Sequence, residues 1–126
     1  MRHYTHILLA VLLVFAAIPF VAAEAPAKEV RMTNKLTFEP KTITIKSGET
    51  VIWKNVSGMV HSATDVPSMA TKPQDAALPR NAKEFNSGMI SPGKDYSHTF
   101  TVPGTYKYFC IPHEELGMVG TIIVQK

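Results

Sequence analysis

The sequence predicts an all-β fold, a Greek-key two-sheet antiparallel β-sandwich of about eight strands. Three observations carry this. Runs of β-branched and aromatic residues place apolar side chains at a period of two, the spacing that turns one side of a strand toward a core. Clusters of Gly, Pro and Ser separate those runs at short intervals. Beyond residue 23 no stretch keeps the 3.6-residue apolar period of an amphipathic helix, and no internal repeat is visible.

The first segment does not belong to that sandwich. Arg2 and His3 give a basic start, residues 7–14 are unbroken apolar, Pro19 interrupts the continuation, and Ala22 and Ala23 precede Glu24. This is the pattern of a secretory signal peptide over residues 1–23, with cleavage after Ala23 or Ala25. As a membrane anchor it would be at the lower limit of length, with a proline inside. Residues 24–29, with Pro26 among alanines, read as an N-terminal linker, and residues 30–126 as one domain. Within it, Ile43 and Ile45 share a strand face up to Ser47-Gly48, and Val51 and Trp53 repeat the pattern over residues 50–54. Residues 65–83 hold Pro67, Pro73 and Pro79 and are the least regular, with room for a short helix around residues 74–78. Tyr96, His98, Phe100 and Val102 then share a face, Pro103-Gly104 turns the chain, and Tyr106, Tyr108 and Cys110 share the next. Residues 120–125 close it as a strand.

Composition narrows the function. Of 126 residues, 45% are hydrophobic and 18% charged, which excludes a disordered chain. The 13 basic and 10 acidic residues give a net charge of +3 with no basic cluster, too weak a field for a nucleic-acid partner. Neither a glycine-rich phosphate loop nor a dinucleotide fingerprint occurs. One cysteine, Cys110, permits no intrachain disulfide and no four-thiolate zinc site. In an exported chain such a thiol is liable to oxidise, so its presence needs a reason.

That reason lies in its neighbours. Cys110-x2-His113-x4-Met118 forms a compact loop between two strands, so three donors are brought together at little cost in chain entropy. Thiolate and thioether are soft ligands and imidazole is intermediate, a set that favours copper over calcium, magnesium or manganese. Two imidazoles and a thiolate with a long, weak thioether tolerate both copper oxidation states. The second imidazole must come from upstream. His61 follows the Ser57-Gly58 turn and fits the end of a sandwich. His98 falls in mid-strand on an apolar face, where a packed ring is the commoner outcome. Taken singly, Cys110 reads as a buried thiol, Met118 as core filling and His113 as a loop residue. With 5 His and 6 Met in the chain, both falling at these offsets from the one cysteine is a coincidence of about two in a thousand.

Gly104-Thr105-Tyr106, Phe109-Cys110, Pro112-His113 and Gly117-Met118-Val119-Gly120, with Trp53-x-Asn55 and His61 upstream, resemble the cupredoxins, the small blue-copper electron carriers, most of all their plastocyanin-like and pseudoazurin-like members. The resemblance covers residues 30–126. It implies one copper per chain near one end of the sandwich, with His61, Cys110 and His113 equatorial and Met118 axial. Asn55 does not match the asparagine that in many members bonds near the sulfur. Ser62 takes that position, either donating toward the thiolate or bracing the loop. Phe109 replaces a tyrosine that many members carry there. Lys72, Arg80 and Lys83 stand where some carry acidic patches, and Glu114 and Glu115 bring negative charge beside His113 toward a docking face.

The function so implied is a periplasmic one-electron carrier, not an enzyme. Its partners would be redox proteins such as c-type cytochromes or copper oxidoreductases, met transiently by a monomer through Met59, Pro112 and Leu116. Met59, Met69 and Met89 raise a rival, copper storage or delivery. A thiol enzyme built on Cys110 and His113 lacks an orienting group.

Overall fold

The computed structural model describes residues 16–22 and 27–126. Residues 16–22 carry no regular structure and are exposed, while the remainder of the 1–23 signal reading and its cleavage point lie outside the described residues. Among the described residues no helix is long and apolar enough to cross a membrane.

Seven strands form among the described residues: β1 (Lys28–Met32), β2 (Phe38–Glu39), β3 (Thr42–Lys46), β4 (Thr50–Asn55), β5 (Asp95–Thr99), β6 (Gly104–Phe109) and β7 (Val119–Gln125). They make two facing sheets, ordered β2-β1-β4-β5 and β3-β7-β6. Alternation explains which side each buries. β4 turns Val51, Trp53 and Asn55 inward, and β7 turns Gly120, Ile122 and Val124 inward. Trp53 sits at the centre, stacked on Phe85 at 5.1 Å and edge-on to Tyr108 at 5.4 Å between ring centroids. At the β5–β6 end, the Tyr106 hydroxyl donates to the Val102 carbonyl at 2.7 Å.

The molecule departs from the sequence expectation in four ways. Both sheets are mixed rather than antiparallel, because β1 runs parallel to β4 and β3 parallel to β7. Parallel neighbours need a crossover, and the chain between β1 and β4 supplies one by placing β3 in the opposite sheet. Next, β1 starts at Lys28, inside the stretch read as linker. Lys28 and Glu29 pair with Val51 and Ile52, and Glu29 Oε2 lies 3.0 Å from Lys54 Nζ. Only Val30 and Met32 of this strand are buried, too few to show a period. Third, in place of a further regular strand, residues 61–65 and 85–90 pair at isolated positions, His61 with Ile90 and Thr64 with both Asn86 and Phe109. Last, the short helix with room around residues 74–78 is reduced to 3₁₀ geometry that ends at Asp75. Pro67–Met69 and Pro73–Asp75 are 3₁₀ turns of three residues, and Ala77 instead exchanges hydrogen bonds with Lys107 of β6 at 3.1 and 2.8 Å.

Candidate metal centre

Residues 61–65, His-Ser-Ala-Thr-Asp, are buried without a break although three of the five are neutral polar or charged and one is histidine. Burial on this scale requires that the backbone groups find partners. They do so on two sides at once. His61 exchanges hydrogen bonds with Ile90 at 3.1 and 2.7 Å, and Thr64 exchanges them with Phe109 at 3.1 and 3.0 Å. The second pairing sets the register of this segment against the end of β6, so that His61, three residues before Thr64, stands beside Cys110, one residue after Phe109.

From Cys110 the chain enters a 3₁₀ turn, Ile111–Leu116, started by Pro112 and ended by Gly117 in the left-handed region at φ 84°. The turn closes through His113 N–H to the Cys110 carbonyl at 3.1 Å and Met118 N–H to the His113 carbonyl at 3.2 Å. Cys110 N–H then donates to the Met118 carbonyl at 3.0 Å, so the loop returns to its starting point before β7 begins.

Three donor atoms converge as a result. His61 Nδ1 and His113 Nδ1 lie 3.2 Å apart, and Cys110 Sγ is 3.7 Å from the first and 3.4 Å from the second. Among the described residues this is the one group of three or more His, Cys, Asp or Glu side chains whose donors lie within 4.8 Å of one another. Edges of this length are those that three donors make around a single ion held at about 2.0 Å from nitrogen and 2.3 Å from sulfur. One soft anionic donor with two imidazoles fits copper.

His61 and Cys110 are fully buried, while His113 is half-buried. Burial pushes the Cys110 thiol up, against the pull of the Ser62 N–H and hydroxyl and the His113 backbone. Burial also holds the His61 ring below its ordinary value, helped by the neighbouring His113 and opposed by the Thr33 carbonyl. Its Nδ1 is the nitrogen turned to the cluster.

Ser62 divides its work between two atoms. Its N–H donates to Cys110 Sγ at 3.3 Å, and its hydroxyl oxygen accepts the Ile111 N–H at 2.7 Å. The hydroxyl oxygen thus braces the loop, and the backbone N–H bonds the sulfur. Asn55 acts one layer out. Its Nδ2 donates to the Met59 and Ile90 carbonyls at 2.7 and 2.9 Å, and its Oδ1 accepts the Ser57 N–H and hydroxyl, so it fastens the turn leading to His61.

Met118 is fully buried in the core cluster that also contains Cys110. His98 lies elsewhere, half-buried on β5 opposite Val51, its ring 5.1 Å from Phe85 and 4.7 Å from Phe100 between centroids. Burial lowers its pKa, and it lines a cavity of about 350 Å³ with Lys83, Thr101 and Tyr106. Glu114 overturns one expectation. Instead of charging a docking face it is buried, with its carboxylate on the backbone N–H groups of Thr71 and Lys72 at 3.0–3.1 Å. Burial alone would raise that carboxyl, and those two amides, with the Thr71 and Asp75 side chains, outweigh it and hold it below the usual range. Nothing in the local sequence signals this, since its partners stand some forty residues upstream.

Comparison with known proteins agrees with the geometry. Residues 26–125 match the model of copper binding proteins of the plastocyanin/azurin family. The chain is 43% identical over 97 residues to a plastocyanin of Scenedesmus fuscus, covering 74% of this chain and 91% of that one. It is 33% identical to a plastocyanin of Nostoc punctiforme, covering 99% of this chain and 94% of that protein. Among solved structures, an oxidised amicyanin variant superposes with a TM-score of 0.61 at 28% identity, over 82% of this chain and 86% of the other. A Cu(I) form of another amicyanin variant gives a TM-score of 0.62 at the same identity and coverage. With a mixed β-sandwich, a His-Cys-His donor cluster at one end and this likeness across nearly all of its described length, the chain belongs to the plastocyanin/azurin family of copper binding proteins, the cupredoxins, and is an electron carrier rather than an enzyme.

Proposed function

We propose that the protein is a periplasmic type 1 copper carrier holding one ion through His61 Nδ1, Cys110 Sγ and His113 Nδ1, with the Met118 thioether as a fourth, weak donor. The observation that carries this reading is the triangle of donors with edges of 3.2, 3.4 and 3.7 Å, two of its three residues fully buried. Copper bound there supplies a one-electron couple and makes or breaks no substrate bond. The chain's own part is to hold the donors still. Ser62 restrains the sulfur and the Ile111 amide, Asn55 restrains the approach to His61, and the loop hydrogen bonds restrain His113. Because His113 is the one member of the triangle with an edge toward solvent, electrons would enter and leave there. Pro112 and Leu116 are exposed on the same turn, the latter at 69%, and suit brief contacts with a redox protein such as a c-type cytochrome or copper oxidoreductase. Export is supported by the signal-like pattern of residues 1–23.

Anaerobic titration of the metal-free protein with copper tests the assignment. The expected result is one ion per chain, an intense visible thiolate-to-copper band and a reversible one-electron couple, with the band abolished in Cys110→Ser. Colourless, electrochemically silent protein would overturn it. More than one tightly held ion per chain would turn the reading toward storage or delivery through Met59, Met69 and Met89. In His61→Gly the band should be lost and return with added imidazole.

A further inference from the structure

The turn that carries His113 has few anchors. Of the six residues in Ile111–Leu116, only Glu114 is buried. The bonds from His113 N–H to the Cys110 carbonyl, from Gly117 N–H to the Glu114 carbonyl and from Met118 N–H to the His113 carbonyl all lie within the loop. They fix its shape without tying it to the sandwich. The Ile111 N–H bond to Ser62 Oγ ties down the start of the turn. Past His113, the tie to another segment is the Glu114 side chain. Its two oxygens accept the Thr71 N–H at 3.1 and 3.0 Å, and Oε1 also accepts the Lys72 N–H at 3.0 Å. Glu115 adds an outer contact, accepting the Thr71 hydroxyl at 2.6 Å and lying 3.7 Å from Lys72 Nζ. That pair is exposed, where such contacts contribute little.

We propose that Glu114 is a positioning residue of the metal centre: its carboxylate, clamped on the Thr71 and Lys72 amides, keeps the His113 turn in one place in both oxidation states. The proposal rests on the copper reading above. A carrier exchanges electrons quickly only if its ligands stay put, and ligands stay put when a second layer of bonds holds them. His113, half-exposed on a turn of one loop, is the ligand most in need of such support. A carboxylate suits the task because hydrogen bonds from N–H groups to an ionised acceptor are stronger than neutral ones.

Three variants and two readouts test this. In the metal-free protein, amide hydrogen exchange at Thr71, Lys72 and residues 113–117 reports the clamp itself. In the copper-loaded protein, electron self-exchange measured by NMR line broadening reports ligand movement. Glu114→Ala is expected to speed amide exchange and to slow self-exchange, each by about tenfold or more. Glu114→Gln keeps an acceptor for both amides and should restore most of each loss. Glu115→Ala removes the same charge nearby and should leave both rates within about twofold. The proposal is overturned if Glu114→Ala loosens the amides but leaves self-exchange unchanged, a purely structural role, or if Glu115→Ala slows self-exchange as much, a charge effect. Should Glu114→Ala fold poorly, Glu114→Asp, which keeps the charge and shortens its reach by one methylene, takes its place on the same two rates: faster amide exchange with unchanged self-exchange overturns the clamp. Absence of a visible copper band in the unmodified protein would instead refute the copper reading, and the metal-free exchange would still show whether the clamp exists.

Discussion

At the site, burial acts on two ligands in opposite directions along the pH axis, raising the Cys110 thiol and lowering the His61 ring. Near neutral pH the metal-free protein therefore holds a protonated sulfur beside a neutral imidazole. A metal ion takes the thiolate, so copper uptake should expel about one proton per chain from Cys110. An indicator dye in weakly buffered solution at pH 7–8 measures this, and Cys110→Ser should release none. Asp65 makes a second case. Phe85 N–H donates to its Oδ1 at 2.8 Å, while its Oδ2 is buried with no partner, and burial pushes the carboxyl from 3.8 up to about 6. Between those values the folded chain binds a proton that the unfolded chain does not. Its contribution to stability is thus fully present below about pH 4 and is lost as pH rises through about 6. Asp65→Asn should flatten that fall and melt a few degrees higher than the unmodified protein at pH 8. The gap between the two melting curves should close or reverse toward pH 4. Residue-scale chemistry was legible where it depends on neighbours in sequence: Cys110, His113 and Met118 announce themselves by spacing. It was not legible for Glu114 and Asp65, whose burial is decided by the backbone at residues 71–72 and at Phe85.

Alternation says which way a side chain faces but not which strand lies alongside. For this reason the faces of β3, β4, β5 and β6 could be read from Ile43, Trp53, Tyr96 and Tyr106, whereas the parallel β1–β4 and β3–β7 pairings could not. Residues 62–64, which read as a short strand, pair only at isolated positions and follow no period, being buried on both sides. Register also exposes a constraint that composition conceals. Tyr108 lies directly opposite Gly120 in the β6–β7 ladder. Its ring covers the inward face of β7, so a Cβ at residue 120 would overlap the ring and stand 2.5 Å from its hydroxyl oxygen. Tyr108 is fully buried and packed between Trp53 and Phe38, so it has little room to retreat. Gly120→Ala should cost about 1–3 kcal/mol, seen as a lower denaturant midpoint at unchanged slope. Because Tyr108 lies on β6 two residues before Cys110, the variant should also shift the visible band, which Gly48→Ala at an open turn should not.

For the whole molecule, the question is whether the ion builds the site or finds it built. The donors stand 3.2–3.7 Å apart, Ser62 N–H reaches the sulfur at 3.3 Å, and Cys110 N–H bonds the Met118 carbonyl at 3.0 Å. The two sheets close around Trp53, and their hydrogen-bond ladders extend to the last residue of β6, one position before the cysteine. A domain assembled in this way should keep its fold when the ion is removed, unlike a zinc finger, whose folding energy is its metal affinity. Binding to the folded chain alone still adds stability by mass action, about 4 kcal/mol at a thousandfold excess over the dissociation constant. Chelation should accordingly leave the far-ultraviolet and near-ultraviolet circular dichroism of the sandwich in place while the melting temperature falls by about 10–20 °C. A metal-free protein that loses its near-ultraviolet signal and swells would show that the centre is assembled by the metal, and that the hydrogen bonds around Ser62 and Glu114 are a consequence of coordination rather than its scaffold.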